Sequence, residues 1–594
     1  MSIGSTSGTV QHPDTGRQAP ESKGALTGAQ AVADVIAGMP QPTVFGMPGG
    51  YTVQIFDALY PLREKVSVNL VREESLATVM AESFGRLTGT PALVVGQGAW
   101  VLGNAGIGIM EALLGCSPMV LLIDSTDGGT FSHLGPYQAG GGGYGAYDLA
   151  AAMRAITKET FVATNPSQAM QMTRLAFKHA TTGEMGPVAV IFNGPALYKR
   201  LDPKREPPTF SSERYTKPAK PLANQASIEQ AASLLRAAQN PMIIAGNGVR
   251  LAKAQNVLKH FAQNRGIPVV TTPAGKGTFA ESHPLALGVI GAFGHETANK
   301  ATGQADLIIA LGTKLGASDT ANQHAALIDP SRQKFIQIDL EPLNLSWTTP
   351  IDAPILGDVC DALERLDKAL GEQRFNGLSI VASQRQFNPY FDHTALKQRA
   401  DFSGRDAAAV LSAVLPADTI VTCDAGENRL FILREYQTKE GGDVLQPNGG
   451  GGMGYAVPAA MAAAFTFRDR PVVAVCGDGG MSMTLHGLMS AIELGLKMTV
   501  VVLDNQVLGW VYSSQRNRTI ASEFSQFDLV AITKAMGCHA ELAQTSAELT
   551  KSLTSALAHR GVSVVVAKIS KTDRYQDVMS SLHKYDVYSV PETP

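Results

Sequence analysis

Asp478 and Asn505 are the residues best placed to do chemistry as oxygen ligands of one divalent cation. Asp478 lies in Gly477-Asp478-Gly479-Gly480, directly after the apolar run Val472 to Cys476. Asn505 lies in Asp504-Asn505, directly after a second apolar run, Met498 to Leu503. With a helix-like stretch between them, the runs predict two buried parallel strands. Both polar clusters then fall at the carboxyl ends of neighbouring strands, where open α/β sheets bind ligands. A carboxylate and an amide oxygen are hard donors suited to Mg2+ that is also held by a phosphate. The glycines let backbone N–H groups approach phosphate oxygens without obstruction. Taken alone, a strand ending in Gly-Asp-Gly is also an ordinary tight turn; the second cluster, one strand on, favours the ligand reading.

The elements that must position these residues read as three doubly wound, parallel-sheet α/β units. At 594 residues the chain is too long for one core. Residues 1–24 read as a disordered polar arm. Residues 25–202 form a first unit in which helix (Ala29 to Ala37) and strands alternate: Thr43 to Gly46, Val66 to Val71, Ala92 to Val95, Met119 to Ile123 and Val188 to Phe192. A Pro- and charge-rich linker covers 203–224. The central unit, 225–370, has strands at Met242 to Ala245, Val269 to Thr271, Leu307 to Leu311 and Phe335 to Ile338. A polar connection covers 371–401, the third unit covers 402–572, and 573–594 is a tail that is a lid or merely a tail.

Composition is that of a soluble protein: 17% charged residues and a net charge of −3 give no electrostatic case for nucleic acid or an anionic membrane. No apolar run is long enough to cross a bilayer. Five scattered cysteines, without metal-type spacing, argue for a reducing, cytoplasmic setting and against a zinc site.

The motif pair resembles the diphosphate–Mg2+ signature of thiamine diphosphate (ThDP) enzymes, and the chain from about residue 25 to 570 resembles their acetolactate synthase and pyruvate oxidase group. The resemblance implies a first domain that grips the aminopyrimidine, a third that grips the diphosphate, and a central domain that is regulatory or binds a nucleotide. It implies Asp478, Asn505 and the backbone carbonyl of Val507 as Mg2+ ligands, with Gly477, Gly479 and Gly480 around the diphosphate. The usual doubled Asn is Asp504-Asn505 here. The stretch Leu70 to Gly89 is similar to the family segment carrying the catalytic glutamate, which falls on Glu74; Glu73 stands where the family has His. Acids at a helix N-terminus are also common without any catalytic role. Asn448 to Pro458 resembles the family loop in which a bulky apolar side chain bends the cofactor. That places Met453 in the wedge and gives the Gly451 carbonyl a contact with the 4′-amino group; by itself the stretch is equally a flexible turn with Met453 as core filler. Gly49, in the turn Met47 to Gly50, and Asn428, in Asp424 to Asn428, are further cofactor candidates, while Glu427 is an odd neighbour for an anion.

Substrate positions match less well. Gln97 and Trp100 occupy the place of a family substrate loop, and Asp124-Ser125 replaces its Gly-Gln. His133, Tyr137 and Tyr144 flank a Gly-rich stretch, Ala139 to Gly145, that lacks the Lys-Ser/Thr of a phosphate loop. These side chains also fit exposed loop polars. Trp510 and Gln515, with Tyr512, fall on an expected helix entering the cleft, where aromatics can equally be core. The central stretch TTPAGKGTFAESHPLALGVIGAFG resembles a flavin-associated segment, but Lys314 stands where a flavin-contacting Arg is expected and is not its equivalent; FAD is possible but not indicated. The resemblance implies a ThDP- and Mg2+-dependent enzyme acting on a small carbonyl substrate: decarboxylation of a 2-keto acid such as pyruvate, then carboligation. It also implies a homodimer or homotetramer. Alternatives are a ThDP-dependent lyase or decarboxylase of another substrate, such as a 2-hydroxyacyl-CoA, and a non-catalytic relative. A nucleotide-binding oxidoreductase is disfavoured, because no Gly-x-Gly-x-x-Gly opens a helix with an acid about twenty residues on.

Overall fold

The computed structural model describes residues 25–126, 137–202, 210–216, 219–397, 399–516 and 518–582. Among them the strands form three all-parallel sheets of six, one per expected α/β unit. The first sheet runs Ser67–Leu70, Thr43–Gly46, Ala92–Gln97, Met119–Ser125, Pro187–Asn193 and Glu159–Ala163 across its width. The third runs Asp443–Leu445, Ile420–Cys423, Val472–Gly477, Met498–Asp504, Val562–Lys568 and His539–Ala543. In chain order both read 2-1-3-4-6-5, so two sheets without visible sequence repetition share one topology. The central sheet reads 3-2-1-4-5-6, a different doubly wound order.

This topology explains why the polar loops sit where they do. Each sheet has one point where successive connections leave in opposite directions, and ligands settle outside the strand ends there. In the third sheet that point lies between Ile420–Cys423 and Val472–Gly477, the strands that lead into Asp424 and Asp478. In the first it lies between Thr43–Gly46 and Ala92–Gln97, which lead into Met47 to Gly50 and into Gln97 to Trp100. In the central sheet it lies between Pro241–Ala245 and Leu307–Leu311, which lead into Asn247 and Lys314.

One helix carries the first unit's buried acids. Helix Glu74–Thr88 starts where Glu73 accepts a bond from the backbone N of Ser75 (2.8 Å), a local cap, and it stops at Gly89 in the left-handed region (φ 68°). It packs against Ala456–Thr466, a helix apolar on every side because it lies between layers. Leu76, Met80 and Phe84 from the first unit share one buried cluster with Tyr455, Val457 and Met461 from the third. Separating these units would expose such side chains at a cost of about 2 kcal/mol each. The connection 371–401 carries a helix, Gly377–Phe387, held to the central unit by buried Val381 and by Lys300, which donates to Asn388 (2.8 Å). In the tail, Tyr575 and Val578 are fully buried, so this part packs on the third unit. No described helix is long and apolar enough to cross a membrane.

Candidate active site

Asp478, Asn505 and Val507 line one cavity of about 130 Å3 at the switch point of the third sheet, together with Asn428, Met453 and Gly477, Gly479 and Gly480. Asp478 opens helix Asp478–Thr484; burial, then the like charge of Asp504, pushes its pKa up to about 6. Asp504 itself is neutralised by Lys568, with which it forms an ion pair. Asp478 and Glu427 are both carboxylates of this cavity, and Asp478 is the one at a strand end next to that of Asn505, where a divalent cation would relieve its charge. Asn505 points its amide oxygen back to accept from the Val507 backbone N (3.2 Å). Glycine is demanded by contact: a Cβ on Gly480 would lie 2.3 Å from the Asp424 carboxylate, and one on Gly479 would lie 3.1 Å from the Met453 methyl. The donor set and the glycine floor fit a diphosphate with Mg2+.

Two neighbours differ from expectation. Asn428 spends its amide N–H on the Asp424 carbonyl (2.8 Å), so this side chain is bonded to the wall as a donor. Its oxygen is the atom that lies toward Gly426 and Gly477. Glu427 lines the same cavity but commits one carboxylate oxygen to its wall, accepting from Ser513 Oγ (2.8 Å) and from the backbone N of Tyr575 (2.9 Å). Burial, reinforced by Asp573 and Asp577, raises its pKa from 4.5 to about 7. A raised acid binds its proton more tightly folded than unfolded. Its contribution is therefore complete below pH 4.5 and lost as pH rises through about 7. Glu427→Gln keeps both accepted bonds without the titration. In urea unfolding of the metal-free protein, the variant should gain about 3 kcal/mol on the wild type between acid and neutral pH; parallel pH profiles would contradict this.

The first unit places Glu74 in the first turn of its helix, 5% exposed, with Asn104 donating to its carboxylate at 3.0 Å. Asn104 was not singled out from the sequence. The Gly-Asn pair that ends helix Gly98–Asn104 is its only local signal. Asp124 ties the neighbouring loops together, accepting from the backbone N of Tyr51 and of Gly98 (3.0 Å for the latter). Gln97 lies over Gly49, its side-chain oxygen 3.0 Å from where a Cβ would be, and donates to Gln138 (2.7 Å). Trp100 is half exposed, and Tyr137 and Tyr144 are exposed; His133 lies outside the described residues. Of the remaining substrate candidates, Trp510 lines the third-unit cavity and stacks on Tyr575 (4.5 Å between ring centres, 8° apart). Gln515 instead closes its own loop, bonding Ile520 O (2.9 Å) and accepting from Ile520 N and Ser522 Oγ. Glu74 is not among the residues that line the third unit's cavity in the same chain.

A second cavity, of about 300 Å3, lies at the switch point of the central sheet against the first unit. Among the described residues that line it, the cation Lys314 is ion-paired with Glu184, which also accepts from Cys116 Sγ (2.9 Å). The other ionisable groups lining it include Asp319, which burial pushes up to about 6, and Asp339. Among the described residues lining it, a flavin diphosphate would meet acids and a cation that is already paired, so FAD is not indicated.

Comparison with known proteins places three family models along the chain. Residues 26–133 match the thiamine pyrophosphate enzyme N-terminal TPP binding domain, 228–366 the thiamine pyrophosphate enzyme central domain, and 424–567 the C-terminal TPP binding domain. Similar proteins include a probable acetolactate synthase large subunit of Methanocaldococcus jannaschii, 29% identical over 82% of both chains. The acetolactate synthase large subunit of Corynebacterium glutamicum is 29% identical over 86% of this chain and 82% of its own. The acetolactate synthase isozyme 3 large subunit of Escherichia coli is 28% identical over 86% and 89%.

Proposed function

The chain belongs to the thiamine pyrophosphate enzyme family, and from that premise we propose that it decarboxylates a 2-keto acid such as pyruvate and ligates the acyl carbon to a second carbonyl, with ThDP and Mg2+ as cofactors. The observation that supports this reading most is the partly buried Asp478 carboxylate, raised to about 6, beside Asn505 and the glycine floor at the switch point. When bound, ThDP supplies the electron sink that breaking a carbon–carbon bond beside a carbonyl requires. In this reading Asp478, the Asn505 amide oxygen and the Val507 carbonyl hold Mg2+, and the backbone N–H groups of residues 477–480 receive the diphosphate. Met453, packed against Gly479, sets the cofactor's bend. Glu74 holds and returns a proton at a ring nitrogen of the aminopyrimidine, and Asn104 fixes the carboxylate that does so.

Glu74 lines no part of the same chain's diphosphate cavity, so the complete site is assigned to two copies, the first unit of one facing the third unit of the other. At least a homodimer follows, and a tetramer is a dimer of such dimers. The five free cysteines suit a reducing, cytoplasmic setting.

A second reading keeps the cofactor and changes the substrate. Asp124, bonded to both flanking loops, and Gln97, laid over Gly49, build the first unit's strand ends differently from the family pattern, which favours a lyase or decarboxylase of another carbonyl compound. The test is turnover of pyruvate with added ThDP and Mg2+, following CO2 and identifying the carbon products. Acetolactate or another acyloin supports the carboligase. Bound ThDP without CO2 release supports the second reading.

A further inference from the structure

The loop that carries Gly451 and Met453 is seated on a carboxylate from another unit of the same chain. Glu111, on helix Gly106–Leu114 and 1% exposed, accepts from four consecutive backbone N–H groups. Its Oε1 takes those of Asn448 (2.7 Å) and Gly449 (3.0 Å), and its Oε2 those of Gly450 (2.8 Å) and Gly451 (3.4 Å). Successive N–H groups turned inward make an anion-binding concavity, and here the anion is a side chain. Glycine permits the seating: a Cβ on Gly449 would lie 2.2 Å from the Leu114 Cβ, and one on Gly452 would lie 2.7 Å from the Ile107 methyl.

The charge is balanced locally. Arg86, also 1% exposed, donates to Glu111 (3.1 Å), to Glu82 (2.7 Å) and to the Gln446 carbonyl (2.7 Å) at the loop's entrance. One guanidinium thus faces two carboxylates, and the four N–H groups of the loop supply the remaining positive potential that a buried anion needs. At the loop's exit, the Asp424 carboxylate accepts from the backbone N of Gly454 (2.9 Å) and Tyr455 (3.2 Å). Between these clamps, Met453 packs against Gly479 on the diphosphate floor.

We propose that Glu111 is a positioning residue for cofactor activation: by gathering the N–H groups of residues 448–451 it fixes where the Gly451 carbonyl and Met453 present themselves to bound ThDP. This rests on the reading that those two groups face the cofactor.

Glu111→Gln is the test, because the amide cannot serve both pairs of donors. Whichever way it turns, its NH2 faces two backbone N–H groups. In cofactor-free protein, hydrogen exchange of amides 448–451 should quicken by at least about tenfold while the helices keep their protection. With ThDP and Mg2+, cofactor affinity should stay within about threefold, since Asp478 and Asn505 are untouched. The circular-dichroism band of the bound aminopyrimidine should weaken, and kcat should fall about 10- to 100-fold with KM little changed. Should Glu111→Gln not fold, Glu111→Asp keeps the charge for Arg86 and draws the oxygens back by one methylene; smaller losses of the same kind are expected. Unchanged exchange at 448–451 would overturn the clamp. Quickened exchange with an unaltered dichroism band and kcat would overturn the cofactor-facing reading of Gly451 and Met453 instead.

Discussion

Glu74→Gln is expected to lower kcat by about 10^3-fold, within the range that a positioned acid–base group contributes, while ThDP and Mg2+ bind within about threefold of wild type. The substitution preserves size and the ability to accept from Asn104, which sits 3.0 Å from the carboxylate. It removes the ionisable carboxyl that can take up and return a proton. Glu74 is buried at the first turn of a helix whose cap comes from Glu73, so stability should change little and the loss will be chemical. Titration calorimetry beside steady-state turnover checks both halves. A variant that keeps wild-type kcat would remove Glu74 from the chemistry.

Asp478→Asn should act at the other end of the cofactor. Of the three assigned Mg2+ ligands, Asp478 alone carries charge; the Asn505 amide and the Val507 carbonyl are neutral. Replacing an outer partner of a metal ligand already costs about 10- to 100-fold in affinity, so loss of the charged ligand should weaken Mg2+-dependent ThDP binding by at least about 100-fold. The wild type should show the same dependence through pH. Burial and Asp504 raise Asp478 to about 6 in the metal-free chain, and only the ionised carboxylate binds the metal. Affinity should therefore hold above pH 6 and fall by about tenfold per unit below it, a slope that the Asn variant lacks. Quenching of Trp fluorescence by ThDP, titrated across pH, measures both. Equal affinity in the two proteins would exclude Asp478 as a ligand.

What was legible in the sequence follows from how deeply each element is buried. Central parallel strands covered on both faces read as unbroken apolar runs, and Val472–Gly477, Met498–Asp504 and Leu307–Leu311 lie within a residue or so of the runs that announce them. Two of the edge strands do not. Glu159–Ala163 and His539–Ala543 each pair on one side only and alternate buried with partly exposed residues, so no run marks them. Residues 448–458 are visible as a glycine cluster, but their partner Glu111 stands 337 residues earlier than Asn448, beyond any local pattern. Asn104 and Asp424 escape emphasis for the same reason, since their roles come from contacts that the fold closes. Side-chain direction is the other blind spot: Gln515 lies on the expected helix Gly509–Gln515 yet folds back onto Ile520, and Glu427, which lines the cavity, commits one carboxylate oxygen to Ser513.

Mixing the two inactive variants is the most direct measurement of a ThDP site assembled from two copies. Glu74→Gln and Asp478→Asn chains are unfolded and refolded together, and CO2 release from pyruvate is followed with ThDP and Mg2+ at concentrations that fill wild-type sites but leave those of Asp478→Asn empty. A mixed dimer unites an intact Glu74 from one chain with an intact Asp478 from the other in one of its two sites, so activity should recover to about a quarter of wild type when chains pair at random. Recovery of that size is the predicted result. Mixed dimers no more active than either parent would contradict it and place both residues' roles within a single chain.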